Sequence, residues 1–293
     1  MKYYIITPAK NEEKFIEQTL KSVIAQTIKP GNWIIVDDGS TDNTAIIVRE
    51  YASKFDFINL IQKQTAGEQR SGGSKVIRAF NVGYDMIREE YFDFIVKLDA
   101  DLTLPCNYFE EVIKCFKSNP KVGLCGGYCV LEEKGNLIPE SYTKDHVRGA
   151  IKAYRRECFN AIGGLKEIWS WDGIDESAIA FHGWELKVLP LAVVHHRPTS
   201  KEYNIFKFSF KTGREMYKER VEFASLLVIS LVYCFRRPVL IGSLLFLFGY
   251  FVSFFKQENR VIDKDLGNFI KNYRFKKIAD KFRIFQRFGS SSK

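Results

Sequence analysis

The sequence predicts an α/β fold in which a mostly parallel sheet is flanked by helices and followed by an apolar and basic helical appendage. Apolar strand patterns alternate with helical patterns from Lys2 to Val130, as in strand–helix–strand units. The chain has 293 residues, 46% hydrophobic and 27% charged, which suits one large α/β domain or one domain plus an appendage. We therefore expect a first domain over residues 1–200 and the appendage over residues 201–293.

Six apolar runs, rich in β-branched and aromatic residues, are predicted as strands. They are Lys2–Thr7, Trp33–Val36, Phe57–Ile61, Phe94–Leu98, Val122–Val130 and Leu186–Val194. The loops that follow the first two strands match neither a Gly-x-Gly-x-x-Gly motif nor a Gly-Lys-Ser/Thr phosphate loop. Dinucleotide oxidoreductases and P-loop enzymes are therefore excluded.

Apolar residues at helical spacing predict the helices between these strands. The helices cover Phe15–Ile24, Ala45–Lys54, the segment around residues 78–83, Asn107–Lys117 and a short stretch at Ser177–Phe181. Asn11 is a plausible N-cap for the first helix, since its side chain can accept a hydrogen bond from a free backbone N–H. Pro105 suits the start of the helix that follows it.

Two carboxylates, Asp99 and Asp101, follow the predicted strand Phe94–Leu98. Ligands of open α/β sheets collect at the carboxyl ends of the strands. Two acids at such an edge repel each other unless a cation lies between them, and carboxylate oxygens suit Mg²⁺ or Mn²⁺. The pattern indicates a metal–diphosphate site, and the alternative is a solvated Asp-rich loop.

Two further segments offer ligands for a nucleotide. Asp38 ends the second strand, where a carboxylate can accept a hydrogen bond from a base N–H or a ribose hydroxyl. The Gly-rich segment 66–75 carries the cations Arg70 and Lys75, which can close over a diphosphate. An exposed loop with solvated charges is the alternative for this segment.

A second acidic cluster contains Asp172 and Asp175, among three tryptophans of the segment 169–184. Partial desolvation there would raise the pKa of a carboxylate and make it a better general base, although N-capping of a helix is the alternative role. The last strand ends in His195 and His196, and only one of them should face the site because side chains alternate along a strand. A neutral imidazole at that point is a reasonable metal ligand, but spacing alone does not assign one.

Bulk properties restrict the cellular setting. The chain starts directly with a strand pattern and shows no signal-peptide pattern, so we do not expect secretion. The cysteines form no Cys-x-x-Cys pair and are expected to be reduced thiols. They are Cys106, Cys115, Cys125, Cys129, Cys158 and Cys234.

The net charge of +9 is concentrated near the C-terminus, where eleven Lys and Arg residues face four Asp and Glu residues after Phe255. Two apolar runs, Phe223–Phe235 and Val239–Phe255, precede this basic segment, and they are too short or only marginally long enough to span a bilayer. We expect them to lie at a membrane surface, with the cations meeting anionic headgroups. The alternative is burial on the first domain or on a second subunit of a homodimer. A nucleic-acid partner is not expected, because no binding motif accompanies the cations.

Taken together, four motifs make the chain resemble the family-two glycosyltransferases of the GT-A fold, over roughly the first 200 residues. The motifs are Thr-Pro-Ala-Lys-Asn-Glu-Glu at 7–13, Val-Asp-Asp-Gly-Ser-Thr-Asp at 36–42, Leu-Asp-Ala-Asp at 98–101 and His-His-Arg-Pro at 195–198. The combination of the second and third motifs is far more specific than either alone. The resemblance implies a Rossmann-like GT-A catalytic domain and an inverting, hexosyltransferase-type enzyme that uses a nucleotide-diphospho-sugar of the UDP or GDP type.

The resemblance also assigns roles to individual residues. The residues expected to line the nucleotide are Pro8, Asn11, Glu12 and Asp38. Asp99 would approach the ribose, and Asp101 would hold Mg²⁺ or Mn²⁺ on the diphosphate. His196, or with less support His195, would complete the metal site. The catalytic base falls on Asp172 by its distance from Gly183 and Trp184, with Asp175 left open because the usual Glu-Asp pair is Trp-Asp here.

The expected reaction is transfer of a sugar to an acceptor hydroxyl at the cytoplasmic membrane face. The apolar appendage suggests a lipid-linked acceptor or a surface glycan, as in polysaccharide biosynthesis. Two alternatives stay open, a nucleotidyltransferase and a catalytically idle scaffold that binds a nucleotide sugar. The nucleotidyltransferase is less well supported, because the usual Gly-rich loop with a lysine near the first strand is missing. The intact carboxylates weigh against the idle scaffold.

Overall fold

A computed structural model describes residues 1–63, 73–140, 145–197, 205–234 and 240–273. Its contacts divide the chain into two compact units, Met1–Thr199 and Ser200–Lys293, which are described separately. Arg70, which was predicted to bind the diphosphate, lies outside the described residues, as does most of the basic C-terminal segment.

The first unit is built on one nine-stranded sheet in the order β3-β2-β1-β4-β8-β6-β9-β5, with β7 paired to β6. The strands are β1 Tyr3–Ala9, β2 Asn32–Asp37, β3 Ile58–Gln62, β4 Phe94–Leu98, β5 Leu102–Thr103, β6 Val122–Glu133, β7 Asn136–Pro139, β8 Ile151–Arg155 and β9 Glu185–His195. Strands β1 to β4 are mutually parallel, so their carboxyl ends meet at one edge.

Helices cover this sheet. They are α1 Ile16–Ile24, α2 Thr44–Ala52, α3 Ser74–Asp85, α4 Tyr108–Ser118, α5 Arg156–Ala161 and α6 Trp171–Phe181. The six predicted strands and five predicted helices are all present, with ends shifted by a few residues and α6 beginning well before the predicted stretch. The helix-flanked α/β architecture is therefore confirmed.

The first unit differs from the prediction in several features, since the short strands β5 and β7 and the helix α5 were also not predicted. Strand β8 was not predicted, and it lies between β4 and β6, antiparallel to both. Asn11 is not an N-cap, because α1 begins at Ile16 with Phe15 before it. Asn11 instead adopts a left-handed backbone conformation with φ of 55°. Its side-chain oxygen accepts a hydrogen bond from Thr41 in the loop after β2.

The second unit contains α7 Ile205–Lys218, α8 Phe223–Cys234 and α9 Ile241–Phe255, and residues 264–273 are also helical. Helices α7 and α9 touch through their backbones at two glycines. A Cβ atom on Gly213 would lie 1.8 Å from the carbonyl oxygen of Phe246, and one on Gly249 would lie 2.0 Å from that of Phe210. Only glycine fits at these crossing points. None of the helices in the described part of the chain is both long and apolar enough to cross a membrane.

Candidate active site

The carboxyl end of β2 carries the nucleotide-site candidate Asp38. Lys63 pairs with its carboxylate at 2.6 Å, and Lys10 donates to its backbone carbonyl at 2.8 Å. Asn11 lies across the same loop, since its backbone N–H donates to Ser40 Oγ at 2.9 Å and its side-chain oxygen accepts from the Thr41 N–H at 2.8 Å. The ends of β1 and β2 are thus bonded into one edge, which presents Asp38 and Asn11 together.

Glu12 continues this edge toward Asp101. The Glu12 carboxylate is buried and accepts two hydrogen bonds from the Arg197 guanidinium, at 2.7 and 3.4 Å. The same guanidinium lies 4.0 Å from an oxygen of Asp101. Arg197 therefore neutralises part of the charge that Glu12 and Asp101 bring to the site, and ties the first and last motifs together.

His195 faces Asp101. Its Nε2 lies 3.6 Å from Asp101 Oδ1, and its Nδ1 lies 3.1 Å from Glu140 Oε2. Burial alone would lower the pKa of His195, but the hydrogen bonds to Asp101 and Glu140 raise it to about 9. The two carboxylates thus favour the protonated form of the His195 imidazole.

His196, the preferred ligand from the sequence, points elsewhere. Its ring stacks on Phe15 with the centroids 5.8 Å apart, and its Nε2 bonds Thr103 Oγ1 at 2.8 Å. Burial lowers the pKa of His196, so its imidazole is neutral at pH 7. The structure therefore brings His195 rather than His196 against the Asp101 carboxylate, as the alternation of side chains along β9 requires.

Asp99 is the accessible member of the Asp99/Asp101 pair. Its side chain is 30% exposed, compared with 5% for Asp101. Buried Lys97 donates to the Asp99 carboxylate and to the Gly149 carbonyl, and the Asp99 N–H donates to the Ala150 carbonyl at 2.8 Å. These bonds fix the end of β4 against the segment that leads into β8.

Asp172 reaches the same place from α6. It lies in the first turn of the helix, and its Oδ2 would be 3.2 Å from a Cβ atom added to Gly149. Within the described residues, the Asp172 carboxylate makes no hydrogen bond or ion pair. Asp99 and Asp172 therefore both flank the segment 149–150, one held by a lysine and the other unpaired.

Asp175 is enclosed. Its carboxylate accepts hydrogen bonds from Lys152 Nζ at 2.8 and 3.0 Å and from the Tyr154 hydroxyl at 2.5 Å. Burial raises the pKa of Asp175, which the hydrogen bonds from Lys152 and Tyr154 only partly offset. An acceptor hydroxyl would have to displace these partners to reach it.

Lys152 also sets the position of Asp172. Its ammonium donates to the Asp172 carbonyl at 2.8 Å and to Glu176 at 3.2 Å, and the Lys152 side chain is fully buried. Burial would lower the pKa of Lys152, but the adjacent Asp175 and Glu176 carboxylates keep it above its ordinary value. Trp171 packs beside this ammonium and beside that of Lys97, at 5.3 and 5.2 Å from the ring centroid.

The other predicted nucleotide ligands lie at the ends of elements. Pro8 is in the last residues of β1, opposite Val36 of β2, and Lys75 is in the first turn of α3. Gly73, just before α3, packs so closely on Trp169 that an added Cβ atom would lie 2.5 Å from the indole ring. The end of the Gly-rich segment thus contacts the loop that leads into α6.

Several charged residues of the site received no role from the sequence, among them Lys97, Lys152 and Glu140. Lys97 and Lys152 are directly opposite each other in the β4–β8 register, and Glu140 follows β7. A lysine within an apolar strand is a usable signal for Lys97, since a buried ammonium requires a partner. Lys152 and Glu140 carried no such signal, because their partners Asp175 and His195 are distant in sequence.

Solved structures share this fold. PcManGT, a mannosyltransferase from Pyrobaculum calidifontis in complex with GDP-Man and Mn²⁺, matches with a TM-score of 0.52 and 16% identity over 88% of each chain. S. aureus TarS 1-349 in complex with UDP-GlcNAc matches with a TM-score of 0.54 and 17% identity, over 87% of this chain and 73% of that one. At such identities the likeness concerns the fold alone, which is that of the GT-A glycosyltransferases, as the sequence predicted.

Sequence comparison gives the family. The profile of Glycosyl transferase family 2 matches residues 4–164, more than half of the chain. The chain therefore belongs to glycosyl transferase family 2, and its enzyme class is that of a glycosyltransferase. Both were predicted from the four motifs and are confirmed.

Curated proteins also match part of the chain. Poly-beta-1,6-N-acetyl-D-glucosamine synthase of Staphylococcus aureus (strain COL) is 27% identical over 203 residues, which cover 62% of this chain and 47% of that protein. The synthase of the same name from Staphylococcus epidermidis is 27% identical over 175 residues, covering 55% of this chain and 40% of the relative. The chain thus spans about half or less of the length of these relatives.

Proposed function

We propose that the chain transfers a hexose from a UDP- or GDP-sugar to an acceptor hydroxyl, with inversion at the anomeric carbon. The observation that carries the proposal is that the ends of β1, β2 and β4 are joined: Lys10 bonds the loop at Asp38, and Arg197 bonds Glu12 and lies 4.0 Å from Asp101. Asp172 of α6 approaches the same strand ends beside Gly149. Acids from separate loops at one edge suit a donor that carries a base, a ribose and a diphosphate.

The residues at these joined strand ends are assigned roles in binding the donor. Asn11, Asp38 and Glu12 line the nucleotide, with Asp38 reading the base, and Asp99 approaches the ribose. Lys75, in the first turn of α3, is assigned to the diphosphate, and Arg70 is assigned to it from the sequence alone. Asp101 and His195 offer a carboxylate oxygen and an imidazole nitrogen, a donor set that Mn²⁺ or Mg²⁺ accepts. A cation held by Asp101 and His195 would neutralise charge on the diphosphate as it leaves.

The transfer is a single displacement. The acceptor oxygen bonds to the anomeric carbon as the bond from that carbon to the diphosphate breaks, and the nucleoside diphosphate leaves. Asp172 takes the proton of the acceptor hydroxyl, since its carboxylate is unpaired among the described residues whereas Asp175 is engaged by Lys152 and Tyr154. Attack from the face opposite the leaving group inverts the configuration.

Product analysis tests the reaction class. Wild-type protein is incubated with UDP-GlcNAc or GDP-mannose, Mn²⁺ and a glycan acceptor, and the phosphate products are separated. A transferase releases UDP or GDP in a metal- and acceptor-dependent manner. Pyrophosphate release would indicate the nucleotidyltransferase, and metal-dependent donor binding without release would indicate the scaffold.

The relatives guide the choice of substrates. The curated relatives are named as synthases of an N-acetylglucosamine polymer, and the solved neighbours contain UDP-GlcNAc or GDP-Man. We therefore test UDP-GlcNAc first, with a growing glycan or a lipid-linked sugar as acceptor. A thermal-shift screen with and without Mn²⁺ extends the choice, because a ligand that binds the folded state raises the unfolding temperature.

We further propose that residues 1–200 are the catalytic domain and that residues 201–293 associate with the cytoplasmic face of the membrane. One face of α9 packs against α7 through Gly249, while large apolar residues on its other face are exposed, including Leu244 at 66% and Phe248 at 60%. The sequence beyond is basic, which complements anionic headgroups. This combination suits a helix lying in the interface.

Vesicle binding tests this assignment. We expect the wild type to sediment with vesicles of phosphatidylcholine and phosphatidylglycerol, and Leu244→Glu to lose most of this binding. Met86→Glu is the matched control, because Met86 is also 66% exposed but lies in the first unit. Equal sedimentation of all three proteins would contradict the assignment, and concentration-dependent dimers that Leu244→Glu abolishes would assign the face to a second copy.

A further inference from the structure

The Nδ1 side of His195 is as well defined as its Nε2 side, which faces Asp101. Glu140 follows β7, and its backbone N–H donates to the Cys129 carbonyl of β6 at 3.0 Å, which extends the β6–β7 ladder by one rung. Its side chain is 7% exposed. Glu140 therefore has a fixed backbone and a buried carboxylate that points at the last residue of β9.

Arg148 and His195 are both partners of the Glu140 carboxylate within the described ranges. Its Oε2 lies 2.9 Å from Arg148 Nη2 and 3.1 Å from His195 Nδ1. A guanidinium has only N–H donors, so this carboxylate oxygen acts as an acceptor toward Arg148. At 3.1 Å the same oxygen is also placed to accept from His195, which assigns the donated proton to Nδ1.

That proton position determines the chemistry of the other nitrogen. With Nδ1 protonated, a neutral imidazole has its lone pair on Nε2, and in this structure Nε2 faces Asp101 Oδ1. Histidines that bind metals almost always donate their second N–H to a carboxylate or carbonyl, which fixes the tautomer and the ring orientation. The Glu140–His195–Asp101 arrangement has this order.

A cation on the opposite side of the ring is the competing arrangement. Cys129, Glu140 and His195 have ligand atoms within 4.8 Å of one another. Burial raises the pKa of the Cys129 thiol to about 12, and the positively charged Arg148 guanidinium is already paired with the Glu140 carboxylate. This side of His195 is therefore a support and not a second metal site.

We propose that Glu140, held by its hydrogen bond from Arg148, is a positioning residue that keeps His195 oriented with Nε2 available to the divalent cation of the donor site. The inference rests on the proposed function, since it concerns the cation that the donor diphosphate requires. Glu140 itself touches neither cation nor substrate.

The test is Mn²⁺ binding, measured by electron paramagnetic resonance of free Mn²⁺ in the presence of UDP. We expect Glu140→Leu to weaken Mn²⁺ binding about 10- to 100-fold, the usual effect of removing such an outer partner. Glu140→Gln keeps an oxygen acceptor for Nδ1–H and should lose less. Wild-type affinity in both variants would overturn the proposal.

Two controls separate positioning from a general structural effect. His196→Gln changes the neighbouring histidine and should retain Mn²⁺ affinity and the nitrogen modulation of the Mn²⁺ spin echo, which His195→Gln should lose. UDP binding without metal should be equal in Glu140→Gln and the wild type, and a loss of it would show that Glu140 supports the whole site. A wild-type protein that binds no Mn²⁺ with UDP would refute the metal site of the proposed function itself.

Discussion

The first unit contains two acidic pairs, Asp99/Asp101 after β4 and Asp172/Asp175 in α6. Both include an aspartate–lysine ion pair, but the two ion pairs differ in exposure. Each pair has one aspartate held by a buried lysine, Lys97 for Asp99 and Lys152 for Asp175. Asp99 remains 30% exposed, whereas the Asp175 side chain is 2% exposed. The same charge pair thus presents a carboxylate in one region and removes it from solvent in the other.

The difference comes from where the lysine lies in the chain. Lys97 and Asp99 are two residues apart, so the pair forms at the end of β4, where the carboxylate can meet water. Lys152 is on β8 and donates to Asp175 of α6, so this ion pair is buried between the sheet and the helix. The helix is thereby fixed with Asp172 on its outer first turn. We infer that the buried pair supports the site, whereas the accessible carboxylates meet the substrates.

The largest expected effect separates the two members of the α6 pair. Asp172→Asn should lower turnover by about 10²- to 10⁴-fold, the range that a general base contributes, while donor binding persists. We measure nucleoside diphosphate release and, separately, donor affinity. Asp175→Asn should reduce turnover far less per folded molecule, and the reverse ranking would move the base to Asp175.

The next effect compares the two lysines. Lys152→Met leaves Asp175 buried without its cation and should lower the free energy of unfolding by about 3–5 kcal/mol. Lys97→Met is the matched variant, and it should cost less because water can solvate Asp99. Urea denaturation of both variants at neutral pH measures the difference. Equal losses would show that exposure of the partner carboxylate does not set the cost.

The stability of the fold at acid pH also depends on Lys152, through its second carboxylate partner Glu176. Burial alone would raise the pKa of Glu176, but Lys152 and His146 together lower it below its usual 4.5. The folded state therefore binds this proton less readily, and Glu176 contributes stability above pH 4.5 that is lost as the pH falls through its lowered pKa. We expect Glu176→Gln to lose less stability than the wild type between neutral pH and that acid range. Parallel curves would contradict the lowered pKa.

The smallest expected effect concerns the gap between the pairs. A Cβ atom on Gly149 would lie 3.0 Å from Trp171 and 3.2 Å from Asp172, so Gly149→Ala should displace the Asp172 side chain slightly. Turnover should fall by less than in Asp172→Asn, with the unfolding temperature nearly unchanged. A loss of stability without a change in turnover would show that Gly149 serves packing alone.

The sequence predicted most elements of the fold, but not the short elements β5, β7 and α5, and not strand β8 in the middle of the sheet. Regular alternation of strands and helices revealed the parallel part of the sheet from β1 to β4. The segment Ile151–Arg155 did not stand out, because Lys152 interrupts its apolar character and is compensated by Asp175, a residue more than twenty positions away. A contact of that range is invisible to local patterns.

The candidate site shows the same division. Spacing and motifs named the acids Asp38, Asp99, Asp101 and Asp172, whose roles remain proposals. Alternation along β9 predicted that only one histidine faces the site, but which one depends on the register of Leu102 with His195 across β5 and β9. Register between distant strands is set by tertiary packing, so local sequence leaves it open.

The loops after β1, β2 and β4 are central to the proposed function, because together they should bind a single nucleoside diphosphate with its cation. Hydrogen exchange measured with UDP or GDP, each with and without Mn²⁺, tests this most directly. We expect exchange to slow in residues 10–13, 38–44, 99–103 and 195–197 at the same nucleotide concentration, and to slow most with Mn²⁺. Protection confined to one of these segments, or absent from all four at saturating nucleotide, would contradict a shared site.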